Sequence, residues 1–569
     1  MVILSKKKKG DGCMKSIIFL FTLFFSVFTF AKAPGEQILF LPVQDSGRVK
    51  PFDTFARETL ELVYGRETYK PSEDAAKIPA HWVVLTWMLS PESWVDRPLF
   101  EVKNKEILEK LKLPTNKKHF TGQELFKSSE FSNVMQELQN KRESKEKLTP
   151  YFQAIQRLEN QFFVFQEMAS GNLLKVYPVV GQETWLSVAA LPEEVQPLFF
   201  EISKGIASYL GASSEEKSDP NKKIVAGEKL DAAVLSFKEA AQNSDPQHYN
   251  FETKMNWEVF YNKFHPFRWT YICYLIASLI LLFVWIRGNE STIGLAWLFL
   301  ALGFALHTFG FGLRIYLAGR APVTNMYETV IWTSYGAVIF AAILEYIYKF
   351  RVILLAGSLM GMFSMIIADF APAVLDPSLQ PLEAVLRSNY WLVVHVMTIT
   401  ISYAAFLLAF GLGDLGLIYY VLDENKHQDK IQKITTGVYR SMQIGVAFLA
   451  PGIILGGIWA DYSWGRFWGW DPKETWALIA LLGYIIVLHA RLVGWLKNFG
   501  MVASGVITFS LVVMAWYGVN FVLGAGLHSY GFGAGGVEYV SVVIGLHLLF
   551  CAYAYIIHVN RNSNDKKAA

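Results

Sequence analysis

Two regimes of hydrophobic patterning divide the chain near residue 267. Before it, apolar residues recur at helical spacing among many charges. Phe152, Ile155, Leu158, Phe162, Phe165 and Met168 trace one face of a helix ending near Gly171. Asp53 or Thr54 is placed to cap a helix that runs to Val63, with Gly65 just past its end. Pro192 opens another helical stretch through Phe199, Ile202, Ile206 and Leu210. The lysine-rich stretches 103–118 and 141–147 read as solvated helix faces or linkers, and 215–223 as a flexible linker. No run within 34–267 is long enough to span a bilayer. After it come apolar runs at Trp269–Ile286, Ile293–Leu317, Thr329–Tyr348, Val352–Ala368, Trp391–Leu422, Ser441–Trp459, Trp476–Ala490, Phe499–Leu523 and Val537–His558. Each is close to the roughly 20 apolar residues that a crossing requires, Trp476–Ala490 being the shortest.

One further apolar stretch lies at the start. Lys15, the apolar Ile17–Phe30 and the small-x-small Ala31-Lys32-Ala33 have the layout of a secretory signal. Cleaved, or retained as an anchor, it sends the adjoining region across the membrane. The pattern therefore predicts a mainly α, polytopic helical membrane protein with about nine transmembrane helices and an exported, largely helical N-terminal domain. The expected divisions are 1–33 as signal or anchor, 34–267 as the exported domain, and 268–569 as the membrane domain.

Composition agrees. At 53% hydrophobic, 15% aromatic and 18% charged, the chain is too apolar for a typical soluble protein. A net charge of +3 over 569 residues argues against nucleic acid as a partner. Cys13, Cys273 and Cys551 form no CxxC pair and no CxxCH, so neither a thiol redox motif nor a site for covalent haem on the chain itself follows.

Charge also tests the orientation. With an exported start, alternation assigns Arg287, Lys349, Arg351, Lys426, Lys430, Lys433, Arg440, Arg491, Lys497, Arg561, Lys566 and Lys567 to cytoplasmic connections. Only Arg314, Arg320, Arg387, Arg466 and Lys473 fall in outer ones. Twelve against five is the bias of the positive-inside rule. The expected location is the inner (cytoplasmic) membrane, with the N-terminal domain on the outer, periplasmic face.

The candidate chemistry sits on that face. Trp464-Gly465-Arg466-Phe467-Trp468-Gly469-Trp470-Asp471-Pro472-Lys473-Glu474-Thr475-Trp476 packs four tryptophans into thirteen residues between two apolar runs. Such a loop suits a flat aromatic shelf for a large planar ligand; an interfacial re-entrant loop is the plainer alternative. Asp471 is placed to accept hydrogen bonds that hold the loop, with Pro472 fixing the turn. His395 and His528 fall at the same side of the membrane. Two neutral imidazoles above aromatic rings could serve as axial ligands to haem iron, or each could be a hydrogen-bonded interfacial residue. His489 lies thirteen residues beyond Trp476, about 20 Å along a helix and well inside the bilayer. An ionisable group there is a functional candidate, an inner-interface histidine beside Arg491 being the alternative. His307 is membrane-embedded too, and suits a bond to a neighbouring helix or an internal ligand site. His81, His119, His248 and His265 are scattered and carry no constellation.

The tryptophan segment resembles the "WWD" signature of the haem-handling superfamily of cytochrome c biogenesis proteins. Gly319–Glu328, His395-Val396, Leu488-His489-Ala490-Arg491 and Gly526–Gly531 narrow the resemblance to the CcsA (ResC) branch of system II. It covers roughly the C-terminal half of the chain. It implies that His395 and His528 ligate haem iron at the outer site, that His489 meets haem within the membrane, and that Trp464, Trp468, Trp470, Asp471 and Trp476 line the outer site. Basic residues such as Arg320 would meet the propionates. The implied activity is that of a holocytochrome c synthase (haem lyase) subunit. It would attach haem b through thioethers to the CxxCH of apocytochrome c, with a thiol reductant supplied by other proteins. A ResB (CcsB) component, which provides half of the membrane haem-entry site in that system, has no counterpart legible here, so a separate ResB/CcsB-type partner is expected. The runner-up is a non-catalytic haem exporter or chaperone similar to CcmC.

Overall fold

The computed structural model describes residues 32–72, 74–144, 148–214, 219–288, 290–371, 374–381, 389–523 and 536–568. The signal-like segment up to residue 31, Arg387 and the segment 524–535 with His528 lie outside the described residues.

The N-terminal portion, before the membrane helices, is built from helices pinned by small hairpins. Phe52–Tyr64 buries Phe52, Phe55, Ala56, Leu60 and Val63 along one face. It ends at Gly65, whose left-handed φ of 76° lets its N–H return to Glu61 O. Pro51 precedes its first turn, and Asp53, expected as a cap, instead holds Arg57 and Asn262. Helices Pro150–Ala169, Gln196–Ser214 and Pro220–Ser244 supply Ile155, Leu158, Met168, Ile202, Ile206, Val234 and Phe237 to the same core. The second of these starts after Pro192, whose carbonyl accepts from Val195 and Gln196 in a preceding turn. Among the described residues, four two-stranded antiparallel ladders, one of them Pro42–Asp45 with Arg48–Pro51, complete it. Strands this short carry no legible period-two pattern, so the sequence showed only the helices.

The next helix, Glu252–Phe264, joins this portion to the membrane part. Arg48 makes a bidentate pair with Glu258 (2.9 and 2.8 Å), and Asn262 Nδ2 donates to Asp53 and Thr54. His265 then takes a left-handed φ of 49°, and Pro266 opens the first membrane helix. One residue therefore turns the chain from the N-terminal core into the first membrane helix.

Nine helices among the described residues are long and apolar enough to cross a membrane. We number them α1 (Pro266–Arg287), α2 (Ile293–Ala318), α3 (Met326–Tyr348), α4 (Val352–Phe370), α5 (Asn389–Asp423), α6 (Gln428–Trp464), α7 (Pro472–Leu492), α8 (Asn498–Leu523) and α9 (Val537–Ala568). The count and order match the apolar runs. The short run after the tryptophans is a full 21-residue helix, because Pro472, Lys473 and Glu474 form its capped first turn. α8 changes character along its length, with Asn498–Ile507, Phe509–Val513 and a π-helical Met514–Leu523.

Polar contacts between α5 and α9 check the alternation. His547 of α9 meets Asp414 of α5, and His558 meets Glu424. Both pairings advance in the same direction along both helices, so the fifth and ninth helices run parallel. That is what alternation requires of two odd-numbered spans.

Candidate functional site

α5 and α6 share the most extensive contact of the bundle, and its fit positions His395. Gly445, Gly452 and Gly456 of α6 are spaced by seven and four residues, and so are Phe406, Ile399 and His395 of α5. A Cβ at each glycine would fall 2.2, 2.7 and 2.5 Å from the facing side chain. The antiparallel helices therefore close only because that stripe lacks side chains. At the Gly456 end of the stripe the imidazole of His395 lies on α6, and its Nδ1–H donates to Gly452 O at 2.9 Å. A carbonyl can only accept, so this bond fixes the tautomer with the lone pair on Nε2. The ring stands 5.7 Å from that of Trp459, which is 2% exposed and packed by Trp391 and Val396. Trp459, Gly452 and Gly456 were not among the expected site residues. The Gly-x-x-x-Gly spacing of 452–456 is the sequence signal for such a close helix contact.

From Trp459 the aromatic series continues into the loop, with Trp464 5.7 Å away. α6 stops at Gly465 in the left-handed region (φ 70°), and Phe467 folds back onto Gly457. Arg466 lays its guanidinium where a side chain at Gly469 would stand. Trp470 holds φ at 57°, uncommon for a residue with a side chain, and its ring is 71% exposed. The exit is a capping box. Asp471 Oδ1 accepts from Lys473 N (3.0 Å), while Glu474 Oε2 accepts from Asp471 N (3.1 Å) and Gly469 N (2.8 Å). Asp471 thus holds the turn through backbone amides. The rings do not form one plane: Trp468 and Trp470 meet edge to face, 5.8 Å apart at 89°. Ring quadrupoles favour that arrangement over a flat array. Trp476 sits half-buried in the first turns of α7.

Arg320 enters a buried ion cluster. Glu328, fully buried in the first turn of α3, pairs with Arg314 of α2 (2.8 Å) and with Arg320 (3.0 Å), and accepts from Thr324 N and Oγ1. The guanidiniums reach onward: Arg314 Nη1 donates to Pro377 O and Tyr261 Oη, and Arg320 Nη2 donates to Gln380 O. One carboxylate therefore ties the helix from the N-terminal portion to the 319–325 connection and the segment leading to α5. Replacing Glu328 with alanine leaves two buried guanidiniums facing each other. We expect a loss of about 3–5 kcal/mol, read as a lowered unfolding midpoint in detergent; an unchanged midpoint contradicts the strut.

Beside this cluster a cleft of about 2690 Å3 separates the N-terminal portion from the bundle, with Arg57, Glu101 and Arg157 on one wall and Tyr327, Asp376 and Tyr539 on the other. Burial, with Glu67 and Asp376 nearby, pushes the Glu61 carboxyl on its edge up to about 7.

The other histidines separate cleanly. His489 Nδ1–H donates to Ile485 O within α7 (2.8 Å), and the ring is exposed. The buried face of α7 is Ala477, Ala480, Tyr484 and Val487, so His489 points away from the bundle. His307 is fully buried, hydrogen-bonded through Nδ1 to Tyr274 of α1 and stacked on Phe311. In the N-terminal portion His119 bonds Tyr64 O and His248 bonds Asp245. No cluster of three metal-ligating side chains occurs among the described residues.

Comparison with known proteins places these features in a family. The sequence model described as cytochrome C assembly protein matches residues 323–528, from the Arg320 connection through the tryptophan loop. Protein NrfI of Wolinella succinogenes is 29% identical over 517 residues, 86% of this chain and 53% of that protein. The chain thus spans about half the length of NrfI, and the match includes part of the N-terminal portion. The CcsA protein of Parasynechococcus marenigrum is 32% identical over 286 residues, 45% of this chain and 92% of that protein. That of Chlamydomonas reinhardtii is 35% identical over 222 residues, 38% of this chain and 62% of that protein. The chain is a multi-pass membrane protein, and it belongs to the CcsA family of cytochrome c biogenesis proteins.

Proposed function

We propose that the chain takes haem b as substrate between His395 and His528, and joins it to the CxxCH segment of an apocytochrome c with a ResB/CcsB-type membrane partner. The observation that carries this reading is the setting of His395. Its tautomer, fixed by Gly452 O, is the one that ligates iron through Nε2, and Trp459 and the tryptophan loop stand beside it. His528 is the second ligand in this reading. Trp464, Trp468, Trp470 and Trp476 supply apolar contact, with Asp471 holding their loop. Arg320 contributes through the segment it secures, since both its Nη groups are engaged.

Each thioether forms by addition of a cysteine S–H across a vinyl double bond. Sulfur bonds one carbon, the hydrogen goes to the other, and no group leaves. Such a reaction gains chiefly from orientation. The histidine of CxxCH takes an axial position as one protein ligand yields. A thiol reductant supplied by other proteins keeps the acceptor cysteines reduced. The cleft beside Glu328 exceeds an ordinary small-molecule pocket of about 300–1,000 Å3 and has room for an extended acceptor chain. The outward ring of His489 suits an intramembrane haem contact completed by the partner. By the charge bias, the site and the exported portion lie on the periplasmic face of the inner membrane.

The experiment is co-expression of the full chain with an apocytochrome c and the candidate partner, reading the absorption spectrum and covalently bound haem. A two-histidine spectrum with covalent product is expected. Bound haem without covalent product would favour the exporter reading, and a haem-free protein would remove both.

A further inference from the structure

The arginines of the connections between membrane helices differ in how far their donors are spent. Arg314 and Arg320 share the buried Glu328 and also donate to Tyr261, Pro377, Ala321 and Gln380. Arg466, in the tryptophan loop, is the opposite case. Among the described residues it makes no hydrogen bond, ion pair or ring contact. Glu474, in the same loop exit, turns its Oε2 to the backbone amides of Gly469 and Asp471 instead.

The free guanidinium nevertheless has a seat. Its Nη1 lies 0.8 Å, and its Cζ 2.0 Å, from where a Cβ on Gly469 would stand. Gly469 is not in the positive-φ region, so the position needs glycine for that room and not for its backbone. The residues on either side of Arg466 connect the seat to His395. Phe467 packs on Gly457, the neighbour of the Gly456 that carries the imidazole. Trp464 stands 5.7 Å from Trp459, whose ring is 5.7 Å from that of His395. The loop thus presents unspent N–H donors between two aromatic residues that reach the His395 side of α6.

Haem is an amphipathic plate. Its faces are apolar, two carboxylates leave one edge, and the vinyl groups leave the opposite edge. Aromatic contacts hold the faces but leave the carboxylates unpaired, and a guanidinium matches a carboxylate with two parallel N–H···O bonds. We infer that Arg466, seated over Gly469, receives a propionate of haem, and that this contact turns the vinyl edge away from the loop, where acceptor cysteines can reach it. The inference rests on the reading that His395 ligates the haem iron, and adds which edge of the haem faces the loop.

The test titrates haem b, and its dimethyl ester with both carboxylates masked, into the purified full chain. The unaltered chain should bind haem b at least about tenfold more tightly than the ester, the scale of one hydrogen bond to a charged group. Arg466→Gln should bind haem b about tenfold more weakly and no longer distinguish it from the ester. Its spectral type should stay that of the unaltered chain, since the iron ligands are untouched. Gly469→Ala keeps the arginine but fills its seat, and should shift haem affinity in the same direction. Arg466→Lys, which keeps the charge without the fork, should fall between; these two variants carry the comparison if Arg466→Gln does not fold. An unaltered chain with no preference for haem b over the ester overturns the inference. So does an Arg466→Gln chain that retains the preference, or a Gly469→Ala chain with unaltered haem affinity. If instead the unaltered chain binds no haem, or His395→Ala leaves the haem spectrum unchanged, it is the ligand reading that fails, and this inference with it.

Discussion

Replacing His395 with alanine is expected to convert the outer haem from a two-histidine to a one-histidine spectrum, and to lower cytochrome c maturation at least about 100-fold, the upper end of what disturbing even a supporting group of a metal ligand costs. The side chain is held at one place by the Gly445, Gly452 and Gly456 stripe and by the bond to Gly452 O. Alanine leaves that packing intact and removes only the imidazole, so the bundle should fold. His528→Ala should give the same spectrum through the other ligand. Millimolar imidazole should recover part of the activity of either variant. Two single variants with unaltered spectra and activity would show that neither residue ligates iron.

On α6, Gly456 leaves no room for a side chain next to His395 Cε1. Its neighbours show why the site was only partly legible in the sequence. The membrane helices could be read because each needs a long apolar run, and their bounds differ from those runs mainly at polar ends. α6 begins at Gln428 rather than Ser441 because its first turns, with Lys430, Lys433 and Arg440, extend beyond the apolar stretch. His395 and the tryptophan loop could be read because their residue types are unusual where they occur. Trp459 was hidden as an ordinary end of a span, and its role emerges only when α5 is laid on α6. Arg320 illustrates the opposite case. Its charge on an outer connection suggested a propionate, but its partner Glu328 is reached only through the turn between α2 and α3, where Arg314 converges on the same carboxylate. The pairing of α5 with α9 joins helices separated along the chain by α6, α7 and α8, and no local pattern encodes it.

His489→Ala should act on a different step. From Trp476 the residue lies about 20 Å along α7, too far to share an iron with groups at the outer rim. It also stands about half a turn from Val487, on the side of α7 that faces away from the bundle. Its Nδ1–H is satisfied by Ile485 O, which leaves the lone pair on Nε2 and meets the condition for a neutral imidazole to sit in a bilayer. A ligand in that position can deliver haem but cannot complete the outer site. The variant should therefore purify with less haem and mature less cytochrome c, by about 10-fold, while whatever haem remains keeps its two-histidine spectrum. Imidazole rescues both classes of variant, so the discriminating measurement is the spectral type of the residual haem rather than recovery of activity. A one-histidine spectrum in His489→Ala would place this residue at the outer iron, which its depth and outward orientation on α7 exclude in the present structure.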